Sequence, residues 1–123
     1  MSDVVKRLRD SKARGQEAAK SEGFAAGQTW ARDKAEAAEL QALENAYDPV
    51  YGWGFGSPGS AYSDAEAFFF MISPESDRDR RAAEEFWETI LGEQSARIAY
   101  SDDFVQGFAE GAMDVWDEVK DQL

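Results

Sequence analysis

The sequence predicts an all-α protein: a small helical bundle with a long N-terminal helix, an aromatic and glycine-rich loop, and an acidic C-terminal helix. Three observations lead there. Only three prolines occur in 123 residues, and none precedes Pro49. Apolar residues recur at the helical period around 82–91 and 104–119. Turn-forming residues concentrate in one long stretch, 46–62, rather than punctuating the chain at strand-like intervals.

Residues 3–45 are rich in alanine, glutamate, lysine, arginine and leucine, all strong helix formers. Val4, Leu8, Gly15, Ala19, Gly23, Ala26, Trp30, Ala37 and Leu40 share one helical face. That face is thin, being mostly alanine and glycine. One unbroken helix would be about 60 Å long, against about 35–40 Å for a compact domain of this size. The segment therefore either breaks near Gly15 or Gly23, or its basic first turns, residues 1–14, project as an arm. Residues 1–123 otherwise form one domain.

Residues 46–62, AYDPVYGWGFGSPGSAY, exclude a regular helix through two prolines and four glycines. Tyr51, Trp53 and Phe55 alternate with Gly52, Gly54 and Gly56. In an extended segment the three aromatics face one side. They either anchor a partner, as tyrosine and tryptophan often do, or fold back over the thin face of the first helix.

Ser63 then caps a short helix. Asp64 and Glu66 suit the positive end of its dipole, and six apolar residues, Ala67 to Ile72, follow without a charge. Such a run is central and surrounded, as a helix or a buried strand; the Ser-Asp-Ala-Glu start, a capping-box pattern, favours helix. Ser73-Pro74-Glu75 reads as the start of the next helix. Its stripe is Ala82, Ala83, Phe86, Trp87, Ile90 and Leu91, and Gly92 ends it. Residues 93–100 connect. Ser101 caps the last helix, 102–121, whose wide apolar arc runs from Phe104 to Val119.

Two nearly identical pentads stand out: GFAAG at 23–27 and GFAEG at 107–111. Each glycine inside a helix costs about 1 kcal/mol relative to alanine, so a contact must offset the loss. Glycines one turn apart leave a strip with no side chains. The first and last helices are therefore expected to cross at Gly23, Gly27, Gly107 and Gly111. A duplication and a dimer interface are the other readings. Neither the pentads nor the Ser-Pro-Glu cap is rare enough to mark a family.

The chain has no cysteine and no histidine. This removes disulfides, thiolate ligands, the usual transition-metal ligands and serine–histidine catalysis. The carboxylates have no EF-hand spacing and lie along an expected exposed face rather than converging. No catalytic residue, metal or cofactor is assigned, and a non-enzyme is expected. No apolar run approaches the roughly 20 residues that span a bilayer, and MSDVVKRLRD lacks the apolar core of a secretory signal. A soluble, cytoplasmic protein without membrane contact is the expectation.

The net charge is −12, and its distribution is uneven. Residues 1–45 hold eight basic and eight acidic side chains; residues 46–123 hold five basic and seventeen acidic. Asp103, Glu110, Asp114, Asp117 and Asp121 lie opposite the apolar arc of the last helix. From Glu110 onward they rise in steps of about 4.5–6 Å, comparable to successive phosphates along a nucleic-acid strand. This disfavours direct nucleic-acid binding and favours a basic partner protein, such as one that itself binds nucleic acid. The leading expectation is a non-catalytic binding protein: an inhibitor, an immunity or anti-defence factor, or a nucleic-acid mimic. The five acids would supply charge, and Tyr51, Trp53 and Phe55 the anchors. A solvated, solubilising face is the plain alternative. A self-assembling or virion-associated helical protein, homo-oligomeric through its first helix, is the second functional reading.

Overall fold

A computed structural model describes residues 2–53, 63–74, 78–92 and 102–123. Among them are α1 (Ser2–Asp33), α2 (Ala37–Asn45), α3 (Asp64–Ile72), α4 (Arg80–Leu91) and α5 (Asp102–Val119), followed by a 3-10 turn, Lys120–Gln122. The described residues contain no strand, only an isolated antiparallel bridge between Asp48 and Gly52. The protein is all-α.

The first helix breaks at neither Gly15 nor Gly23. It runs through both and stops at residues 34–36, where the amides of Lys34 and Ala35 both donate to Trp30 O at 2.9 Å. Glu36 is extended (φ −91°, ψ 152°) and starts α2 through a capping box with Glu39. An exposed glycine costs too little to end a helix that tertiary contact holds further along. The actual break turns the chain so that α2 buries Leu40 and Leu43. Residues 3–18 remain exposed throughout.

The central short helix is α3, capped by Ser63 Oγ, which accepts from Glu66 N at 3.2 Å. Ser73 does not start the next helix; it closes α3, its Oγ donating to Phe69 O at 2.6 Å. Proline disfavours helical geometry in the residue before it, consistent with the extended backbone of Ser73 (φ −107°, ψ 149°). Asp79 caps α4, accepting from Ala82 N at 2.8 Å, and Gly92 ends it with a left-handed φ of 71°. Residues 75–77, 93–101 and 54–62, and with them Ser101 and Phe55, lie outside the described residues.

The core is aromatic. Trp87 is buried between Phe68 and Phe108, with ring centroids 5.5 and 4.9 Å away. Trp30 packs on Phe68, Phe86 and Phe108 at 5.5–5.9 Å. Buried Trp87 donates its indole N–H to Ala65 O at 2.8 Å, which joins α4 to α3.

The seam that organises the molecule lies between α1 and α5. A Cβ added at Gly23 would sit 2.1 Å from Phe104 O, and one at Gly27 2.0 Å from Phe108 O. In return, a Cβ at Gly107 would meet Lys20 O, and one at Gly111 Phe24 O, each at 2.1 Å. Each carbonyl belongs to the residue three positions before the facing glycine. The numbering rises together on both sides, so the helices run parallel, with Gly23 level with Gly107 and Gly27 with Gly111. The two pentads are thus related by a local two-fold axis along the seam. The glycine hydrogen in the Cβ position points at a carbonyl oxygen, the arrangement of Cα–H···O contacts seen where helices approach closely.

Candidate protein-binding groove

Close approach of α1 and α5 leaves their outer shoulders to form a groove, which α2 and the turn after it close. Phe24 of α1, Gln106, Glu110, Met113, Asp114 and Asp117 of α5, and Glu44, Tyr47, Gly52 and Trp53 line it, around about 490 Å³. Its floor is apolar and aromatic, through Phe24, Met113, Tyr47 and Trp53. Carboxylates from two helices, α2 and α5, stand along it. A shallower depression between α1 and α4, lined by Ala25, Ala26, Thr29, Trp30, Lys34 and Ile90, has no such convergence of charge.

The turn after α2 is tight rather than extended. Asp48 and Gly52 exchange two backbone hydrogen bonds of 2.8 Å. The Asp48 carboxylate accepts from Val50 N at 2.7 Å and Tyr51 N at 3.1 Å, and Gly52 takes φ 69°, which few other residues adopt cheaply. The chain therefore reverses, and the aromatic alternation does not put Tyr51 and Trp53 on one side. Tyr51 is 81% exposed, whereas Trp53 is 8% exposed. Trp53 donates its indole N–H to Leu43 O at 2.9 Å and packs edge-on against Tyr47, with centroids 4.8 Å apart. It is a wall of the groove and a part of the core, not a free anchor.

The acidic stripe is divided. Glu110, Asp114 and Asp117 face the groove. Asp103 is half-buried near the start of α5, outside it. Asp121 opens on a neighbouring depression with Ala37, Gln41 and Leu123. Asp114 is exposed and accepts from the neutral Gln28 Nε2 at 2.9 Å across the seam. Lys20 stands 3.5 Å from Glu110, a partly exposed pair of small net worth.

Glu44 is the group the sequence reading missed. It accepts from the Trp116 indole N–H and from Lys120 Nζ at 3.1 Å, and Lys120 also lies 3.2 Å from Asp117. The Trp116 hydrogen bond first, then Lys120, holds the Glu44 carboxyl below its ordinary value. Hydrogen bonding to Glu44, then to Asp117, holds the Lys120 ammonium above its own. This clamp ties α2 to the end of α5 and keeps a carboxylate ionised at the groove. Nothing local marked Glu44, because its partner in the chain lies 72 residues away.

Among the described residues no three aspartates or glutamates gather to hold a metal ion, and no helix is long and apolar enough to cross a membrane. Comparison with protein-family models, curated proteins and solved structures finds no match.

Proposed function

We propose that this chain is a non-catalytic acidic binding protein that takes a basic segment of a partner protein into the groove between α1, α2 and α5. The observation that carries the reading is the combination of an aromatic, apolar floor with carboxylates from two helices. Acids on a convex helix would only solvate it. Acids beside Phe24, Met113 and Tyr47 can meet the ammonium or guanidinium of a long side chain while the floor covers its methylenes. Lysine and arginine stems, or aromatic residues next to them, fit such a place. Exposed Tyr51 stands at the tip of the adjoining turn and extends the contact. The rise of Glu110, Asp114 and Asp117 along α5 supports a nucleic-acid mimic that inhibits a basic nucleic-acid-binding protein, as a cytoplasmic immunity or anti-defence factor would.

Trp53 in the groove and Trp116 beside it make intrinsic fluorescence the readout. A short peptide rich in lysine, arginine and aromatics should bind with an affinity that falls steeply between about 50 mM and about 500 mM salt. The double variant Asp114→Lys, Asp117→Lys should lose roughly tenfold or more. Tyr51→Ala should weaken binding while leaving the melting temperature unchanged. Salt-independent binding, or binding untouched by charge reversal, would overturn the reading.

A further inference from the structure

The first half of α1 is a helix without a partner. With Gly23 level with Gly107, the start of α5 at Asp102 falls level with Ala18, so residues 2–17 extend about 25 Å beyond α5. Every residue from 3 to 18 is exposed, including Val4, Val5 and Leu8 at 49, 52 and 56%. A Cβ at Gly15 would meet nothing within 4 Å. Three large apolar side chains lie close together on this arm, since residues three and four apart share a helical face. Arg9, four after Val5, and Lys12, four after Leu8, border them. Among the described residues none of Lys6, Arg7, Arg9, Lys12 and Arg14 has an ion-pair partner.

The arm and the groove are complementary, apolar centre to apolar floor and basic border to acidic rim. The arm cannot enter its own groove. It is continuous with the turns of α1 that are locked against α5, so it points away along the helix axis, and folding back would break the helix. A second molecule has no such restriction. We infer that the arm of one copy docks into the acidic groove of another, Val4, Val5 and Leu8 on Phe24, Met113 and Tyr47, with Arg9 and Lys12 toward Asp114 and Asp117. Reciprocal exchange closes a dimer, and one-way docking builds a chain of copies. The inference rests on reading the groove as a site for a basic segment. An outside partner would then compete with the arm.

Charge-swapped variants test it at exposed positions that leave the fold intact. Sedimentation velocity over a roughly hundredfold concentration range should show the parent chain associating at about 50 mM salt and dissociating at about 500 mM. Arg9→Glu with Lys12→Glu should be monomeric, as should Asp114→Lys with Asp117→Lys. An equimolar mixture of the two should associate again, because each arm then finds a groove of opposite charge. A monomeric parent, an arm variant that still associates, or a mixture that does not recover would overturn the inference. Peptide binding by a monomeric parent would leave the groove reading standing and remove only the second copy. Binding of neither would remove both.

Discussion

Replacing Gly27 by alanine probes the seam with the smallest possible perturbation, a single methyl group. That methyl would stand 2.0 Å from Phe108 O and 2.8 Å from Phe108 C, both backbone atoms that cannot rotate away. Real Cβ contacts do not fall below 3.0 Å, so α1 and α5 must part locally by about 1 Å. A gap of about 0.5–1 Å forfeits a quarter to a half of each dispersion contact across it. The four reciprocal Cα–H···O contacts, about 0.5–1 kcal/mol each, weaken together. The gain in helix propensity returns only about 1 kcal/mol. The balance is a loss of about 2–3 kcal/mol, or roughly 6–15 °C in Tm for a chain of this length. Gly15→Ala is the control. It makes the same chemical change in the same helix with open space around it, and should raise Tm by roughly 3–5 °C. Adding Gly111→Ala to Gly27→Ala should cost less than the sum, because both methyls push on one seam. Thermal melts followed by circular dichroism read all four proteins. If Gly27→Ala melts at or above the parent, the reasoning from close approach is wrong.

Glu44 and Glu39 should tilt the pH dependence of stability in opposite directions. The folded pKa of Glu44 is lowered, so its contribution is complete above the unfolded value near 4.5 and drains as pH falls through the folded one. Glu44→Gln should therefore flatten the acid-side loss. Burial is the main cause raising Glu39, with Glu36 repulsion adding and the Glu36 N–H opposing, so its contribution is present below 4.5 and lost as pH rises through the folded value. Glu39→Gln should retain more stability at neutral pH, relative to acid, than the parent does. Urea midpoints from about pH 3 to pH 7 check both signs, and slopes that shift the same way would contradict the assignment. Trp87→Phe removes the donor to Ala65 O and part of a buried ring, and should cost roughly 1–3 kcal/mol in denaturant unfolding; a change within about 0.5 kcal/mol, as for a surface site, would contradict its role.

The sequence by itself determined the all-α class, because propensity and apolar period are local and agree over each helix. It marked the ends that side chains next in line control: Ser63 before α3 and Gly92 after α4. It also displayed the four glycines, since a helix that carries them against propensity points to a contact. It did not reveal the end of α1. Gly15 looks like the weak point, yet the helix stops at residues 34–36, where α2 must fold back to bury Leu40 and Leu43. Ser73 read as a helix start and proved to be the end of α3, because Pro74 suits either role. The stripe of acids was legible as a helical face. Its division was not: which members meet Glu44 over an aromatic floor depends on α2 and the Asp48–Gly52 turn. Tyr51 and Trp53 differ by two positions and by almost their whole exposure, since one turn decides which enters the core. Only tertiary structure could set these, as a groove is made by surfaces that different helices bring together, and no local preference encodes the distance between them.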